Sequence, residues 1–139
     1  MPWAILDTNV YIGHWEAGLF DDTLAQLKQR FVIRQSAVVL SELRRGARTR
    51  SARRLVESLC RLATVIWEPT SQDWWMAGKL IQEIGDARHW NASKRREFQN
   101  DALIGLTARR YGAVVATSNA ADFGLLAGQL EIPIFPVKP

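Results

Sequence analysis

The chain holds one cysteine, Cys60, and two histidines, His14 and His89, among its 139 residues. A single cysteine excludes an internal disulfide and any multi-cysteine zinc cluster, and two imidazoles argue against a histidine-rich zinc centre. No apolar run approaches the ~20 residues of a membrane-spanning helix, and the N-terminus lacks a charged segment followed by an apolar one. A reducing cytoplasm is therefore the expected compartment. Internal repeats, low-complexity segments and long linkers are also missing. One domain over residues 1–139 is expected, large enough to bury roughly two-thirds of its unfolded surface. What is present is an ordinary globular composition, 47% hydrophobic and 23% charged. The one imbalance is basic: the net charge is +4 and the pI is near 9.7, which points toward a polyanionic partner.

Strand and helix signals alternate along the chain. Trp3-Ala4-Ile5-Leu6 is a short apolar run suited to a buried strand. A helix can start at Asn9 and run to Gly18, and another covers Asp21 to Arg30 before the strand pattern Phe31-Val32-Ile33. Ser36 reads as the N-cap of a helix over Ala37 to Arg45, closed by Gly46. Thr49 to Ala63 is amphipathic, with Leu55, Val56, Leu59 and Leu62 expected inward and Cys60 beside them in the core. A strand at Thr64 to Trp67 stops before Pro69. Ser71 then caps a helix to about Gly85, and Phe98 to Tyr111 forms the next, ended by Gly112. A strand over 113–117, a short helix from Asn119 and a last strand near Ile132 to Val137 complete the chain. Pro133, Pro136 and Pro139 suit an edge position or a tail better than a central strand. This alternation predicts an α/β fold with a central, mostly parallel sheet flanked by helices on both faces. Ligands of such sheets gather at the carboxyl ends of the strands.

Four acids stand out against this frame. Asp7 ends the first apolar run, and Asp122 follows the run Ala113 to Ala116. Glu42 has Val38, Val39 and Leu43 as helical neighbours, and Asp101 has Ile104, Gly105 and Ala108 at helical spacings. A carboxylate on an apolar stripe is costly without compensation, and four that converge repel until some protonate. A divalent cation removes that conflict. Taken singly, each acid is as well explained by a cap or an arginine partner, and Asn119 with Asp122 reads as a capping pair. Taken together, they read as a metal site.

In order, Asp7-Thr8-Asn9 after a strand, Ser41-Glu42-Leu43, Asn100-Asp101-Ala102-Leu103-Ile104 and Thr117-Ser118-Asn119-Ala120-Ala121-Asp122-Phe123 resemble the motifs of a PIN domain. Size and order further resemble the VapC toxins of bacterial toxin–antitoxin pairs, over essentially the whole chain. The resemblance implies a PIN-like fold and an endoribonuclease that uses Mg²⁺ (or Mn²⁺) and leaves a 5′-phosphate and a 3′-hydroxyl. Asp7, Glu42, Asp101 and Asp122 would hold metal directly or through waters, with Asn9, Thr117, Ser118 and Asn119 in support. It also implies a homodimer silenced by a VapB-like antitoxin, held by helices that include Val38 to Leu59.

Basic residues crowd the same neighbourhood. Arg44, Arg45, Arg48, Arg50, Arg53 and Arg54 follow Glu42, and Lys94-Arg95-Arg96 precede Asp101. They suit RNA phosphate or an antitoxin, or form a solvated helix face. Of six tryptophans, Trp3 and Trp67 are expected in the core and one of Trp74 and Trp75 at the surface. Trp15 and Trp90 either pack or stack on bases. Three other readings share the residues. A PIN-type nuclease of RNA processing or decay would carry the same acids and act with no antitoxin. An aspartyl phosphatase would want a second Asp where Asn9 stands, and a non-enzymatic RNA-binding module would leave Glu42 and Asp101 unexplained on their apolar stripes.

Overall fold

In the computed structural model, which describes residues 1–138, strands and helices alternate as expected. The elements are β1 (Trp3–Leu6), α1 (Thr8–Ala17), α2 (Asp21–Arg30), β2 (Val32–Ile33), β3 (Gln35–Ser36), α3 (Ala37–Gly46), α4 (Arg50–Leu62), β4 (Ile66–Trp67), α5 (Ser71–Arg88), α6 (Ala92–Tyr111), β5 (Val114–Thr117), α7 (Ala120–Leu130) and β6 (Ile134–Pro136). The main sheet has the order β2-β1-β5-β6 and is parallel throughout. Leu6 lies opposite Ala116 and Thr117 opposite Pro136, so β1 and β5 end side by side. β1 connects onward to β2 on one side while β5 lies on its other side, which makes the β1–β5 boundary a switch in strand direction of travel. The crevice that ligands favour in such sheets lies there.

The strand that holds Pro136 takes the edge, where the proline's missing N–H costs no ladder bond, and Pro139 lies outside the described residues. The expected strand over Thr64 to Trp67 is reduced to Ile66–Trp67 and pairs with β3 in a separate two-stranded sheet. Val65 and Ile66 are exposed, unlike residues of a parallel strand covered on both faces.

Three helix boundaries differ from the sequence expectation. α5 is capped by Thr70 rather than Ser71, in a capping box with Asp73. It runs on through Gly85 and ends where His89 turns to a positive φ of 56°. A Cβ at Gly85 would sit 2.8 Å from the Arg95 guanidinium carbon, so that side chain would have to shift to admit one. α6 begins at Ala92, six residues before Phe98, because the Asn91 side chain accepts the Lys94 N–H at 2.8 Å.

The core gathers β1, β5 and the inner faces of α3, α6 and α7, with Ile5, Val39, Phe98, Leu103, Ile104, Val115, Phe123 and Leu126 almost fully buried. α4 contributes less than expected. Val56 is buried and Leu59 half-buried, but Leu55 is exposed, Leu62 is 75% exposed and Cys60 is also at the surface. Its buried stripe is narrow, with Ala52, Val56, Leu59 and Ala63 at helical spacing, since α3 is its principal neighbour. Trp67 is buried between Trp3, which meets it edge-on at 5.4 Å, and Tyr111, stacked at 4.1 Å. Trp3 itself is partly exposed, and both Trp74 and Trp75 face outward. Trp15 and Trp90 are half-buried against Tyr11 and Phe98, which favours packing over base stacking.

Arg110, in the last turn of α6, pins the start of α5. It donates to Asp73 Oδ1 at 2.7 Å, to Asp73 Oδ2 at 3.2 Å and to Thr70 Oγ1 at 2.9 Å. Burial pushes the Asp73 carboxyl up, but the hydrogen bonds from Arg110 and Thr70 prevail and hold it below the ordinary carboxylate value. Its stabilisation is thus present at neutral pH and lost on acidification through that lowered value. Asp73→Ala should cost about 2 kcal/mol by removing one half of the capping box and the partner of Arg110. A urea-unfolding midpoint equal to that of the wild type would show that this corner does not hold α5 on α6.

Candidate metal and nucleic-acid site

Asp7 is the first residue past β1, and its backbone continues the sheet by donating to Ala116 O at 2.9 Å. It also caps α1: Oδ1 accepts the Thr8 N–H at 2.7 Å, while Oδ2 accepts Thr117 Oγ1–H at 2.9 Å. Thr117 ends β5, so one side-chain bond ties the ends of the two central strands together. The Asn119 N–H donates back to Thr117 Oγ1 at 2.9 Å, and Asn119 caps α7. From there Asn119 Nδ2 donates to Asp122 Oδ2 at 3.2 Å, and Lys94 Nζ reaches the same oxygen at 3.0 Å. On the other side, Thr8 Oγ1–H donates to Glu42 Oε1 at 2.8 Å. A chain of hydrogen bonds therefore runs from Glu42 on α3 to Lys94 on α6 across both strand ends.

Thr8 and Lys94 are the members that sequence reasoning did not single out. Thr8 stood inside the Asp7-Thr8-Asn9 triplet, and Lys94 inside a basic run read together as suited to RNA phosphate, an antitoxin or a solvated helix face. Asn9 and Ser118, expected as supports, are exposed and stand outside this chain. The basic run itself divides. Lys94 turns to Asp122, Arg95 turns back to Asp86 at 3.0 Å and to the Trp90 carbonyl at 3.0 Å, and Arg96 is exposed. Arg95 thus fastens α5 to α6 and is removed from the set of phosphate contacts. Arg44, Arg45, Arg48 and Arg50 lie exposed along the end of α3 and the start of α4.

The electrostatics mark the four acids as one group. Asp101, partly buried on the inner face of α6, is pushed up to about 8, first by burial and then by Asp7, Glu42 and Asp122, while Lys94 pulls the other way. Asp7 is 3% exposed, and burial raises its carboxyl despite the bonds from Thr117 and Thr8, with Glu42 adding to the rise. Among the described residues, no three of the Asp, Glu, His and Cys side chains close directly around one point as a metal cage. The donor set suits an ion that keeps much of its water. Its oxygens are all carboxylates, and Mg²⁺ is commonly held by one or two carboxylates plus waters and substrate phosphate.

The family model for the PIN domain matches residues 4–128. The chain belongs to the PIN domain family. Solved structures that resemble it include VapBC-1 from nontypeable Haemophilus influenzae, 20% identical over 96% of this chain and 97% of that one, with a TM-score of 0.72. VapBC2 from Rickettsia felis, solved on a DNA fragment from its promoter, is 18% identical with a TM-score of 0.70 and covers 98% of this chain and 99% of its own. VapBC-5 from Mycobacterium tuberculosis, a member of the VapBC family of toxin–antitoxin systems, is 23% identical over 99% and 100% with a TM-score of 0.62. At these identities the likeness establishes the fold. Comparison with curated proteins gave no match. Among the described residues, no helix is long and apolar enough to cross a membrane.

The raised Asp101 carboxyl has a measurable consequence. A carboxyl whose folded value lies above its ordinary one favours folding below that ordinary value, and the advantage is lost as pH climbs through about 8. Asp101→Asn keeps the shape and cannot ionise. In EDTA the variant should match the wild type only near the ordinary carboxylate value of 3.8, gain on it steadily up to about pH 8, and melt about 10 °C higher or more near pH 9. Scanning calorimetry that shows the same difference at both pH values would mean that Asp101 is not under like-charge pressure.

Proposed function

We propose that this PIN domain, read as a single domain over residues 1–139, is a metal-dependent endoribonuclease of the VapC type, the toxin of a toxin–antitoxin pair. The observation that carries the reading is the acidic cluster at the β1–β5 crevice, in which Asp101 is raised to about 8 by burial and by three other acids. Acids that raise one another in this way carry a cost that a divalent cation would offset.

Asp7, Glu42, Asp101 and Asp122 would hold Mg²⁺ (or Mn²⁺), partly through waters, and are assigned as the catalytic acids. When bound, such an ion supplies a more acidic water and offsets charge on the phosphoryl group. The chain's own part is orientation. Thr117 and Thr8 fix both oxygens of Asp7, Thr8 also fixes Glu42, and Asn119 fixes Asp122. Such bonds lock carboxylates in one rotamer, which is what supporting groups of metal sites do. No histidine base or cysteine nucleophile is needed, in keeping with two histidines and an exposed Cys60. Exposed Arg44, Arg45, Arg48 and Arg50 provide bidentate donors for RNA phosphate or for an acidic face of the antitoxin.

A groove of about 460 Å³ runs between α1, α3 and α4. Ile12, Trp15, Leu43, Leu55 and Val56 make its floor apolar, and Arg48 edges it. Its proportions suit an amphipathic segment, such as the antitoxin would present. The structural relatives are themselves VapBC and FitAB complexes, which supports an antitoxin partner. The outward Trp74 and Trp75 fit a homodimer contact, and the cytoplasm, where toxin, antitoxin and RNA meet, is the place of action.

Purified antitoxin-free chain should cut total RNA into discrete fragments with Mg²⁺ or Mn²⁺ and none with EDTA. Asp7→Asn and Asp101→Asn should fold and lose activity by about a hundredfold or more. RNA left intact under every condition by folded protein would favour the non-catalytic RNA-binding module.

A further inference from the structure

Lys94 is placed against the local rules of its helix. It is the third residue of α6, whose first turn holds no acid, and a cation at a helix N-terminus opposes the backbone dipole. Where a chain breaks a local rule, a functional reason is the first to look for. Its position on the helix supplies one. Phe98 and Asp101 follow at i+4 and i+7, so all three share the face of α6 that meets the crevice. The ammonium lies 5.3 Å from the ring centre of Trp90 and 6.0 Å from that of Phe98, an aromatic seat that favours a cation. From this seat it bonds Asp122 Oδ2, the oxygen that Asn119 also approaches. The Lys94 side chain is 34% exposed and that of Asp122 22%, so the ammonium can swing toward solvent without crossing a packed core.

Any divalent ion that takes Asp122 as a ligand must contend with this ammonium on the same oxygen. We propose that Lys94 is a working residue of the site. It serves as counter-ion to Asp122 until a divalent ion takes that oxygen, and then bonds a phosphate oxygen of the RNA. The inference rests on the metal-dependent nuclease reading and adds to it a residue that links metal entry to substrate binding. Displaced from Asp122 but still seated beside Trp90 and Phe98, the ammonium has lost its anion and stands, part exposed, beside the crevice proposed to take the RNA. A phosphate oxygen is the available replacement, and an ammonium meets it as a point charge.

Mn²⁺ titration followed by the electron paramagnetic resonance signal of the free ion reads the first half without RNA. Lys94→Met, of similar length and without charge, should bind Mn²⁺ about tenfold more tightly than the wild type, the scale of one charge-assisted bond. Lys94→Arg keeps the charge and should stay within about threefold of the wild type. For RNA cleavage at saturating Mn²⁺, Lys94→Met should raise KM about tenfold with little change in kcat, and Lys94→Arg should largely restore it. Melting temperatures of both variants confirm that they are folded. Mn²⁺ binding to folded Lys94→Met that is equal to or weaker than wild type overturns the counter-ion role. A tighter Mn²⁺ site with unchanged KM overturns the phosphate contact. A wild-type chain that binds no Mn²⁺ overturns both, together with the metal reading on which they rest.

Discussion

The carboxyl of Asp101, buried on α6 and facing the charges of Asp7, Glu42 and Asp122, is the constraint on which the candidate site depends. Each acid arrives from a different element: the end of β1, the middle of α3, the middle of α6 and the first turn of α7. A parallel sheet brings them together because β1 and β5 end level with one another, as the Leu6–Ala116 pairing shows. Burial then makes their mutual charge expensive, and Asp101 bears most of it. A fold selected for stability alone would replace such a residue with an amide or an apolar side chain. Holding four carboxylates at one crevice makes sense where a cation is part of the working molecule.

Two devices keep the cluster in register. The first is the hydrogen-bond chain from Glu42 through Thr8, Asp7, Thr117 and Asn119 to Asp122, which turns separate side chains into one unit. The second lies away from the acids. α6 carries Asp101 and Lys94, and its two ends are fastened to α5, by Arg95 to Asp86 at one end and by Arg110 to Asp73 at the other. Both cations are spent on geometry. The basic surplus of the chain is therefore smaller near the crevice than a count of arginines implies, and the exposed arginines of α3 and α4 make up most of it.

The four acids, the parallel sheet and the family were legible in the sequence because each rests on a local pattern: an apolar run stopped by a carboxylate, a cap, an order of motifs. What was not legible depended on neighbours. Leu55 and Leu62 match an amphipathic stripe as well as Val56 does, but periodicity reports where a face is, not whether another element covers it. Gly85 read as a helix end, although the helix runs through it and the Arg95 guanidinium packs against it. Lys94, Arg95 and Arg96 are consecutive, and on a helix consecutive side chains point about 100° apart. A single assignment for all three could not hold. Thr8, buried between two acids in space, sits beside only one of them in the chain.

The most direct test of the cluster as a cation site needs no RNA. The melting temperature of the antitoxin-free chain near pH 8 can be compared in EDTA and in millimolar Mn²⁺, alongside Asp7→Asn. Specific binding to the folded state should raise the wild-type midpoint by several degrees, about 2–3 kcal/mol at a hundredfold excess over Kd, and should leave the variant nearly unmoved. Equal midpoints with and without the ion in the wild type, or an equal rise in both proteins, would contradict the account.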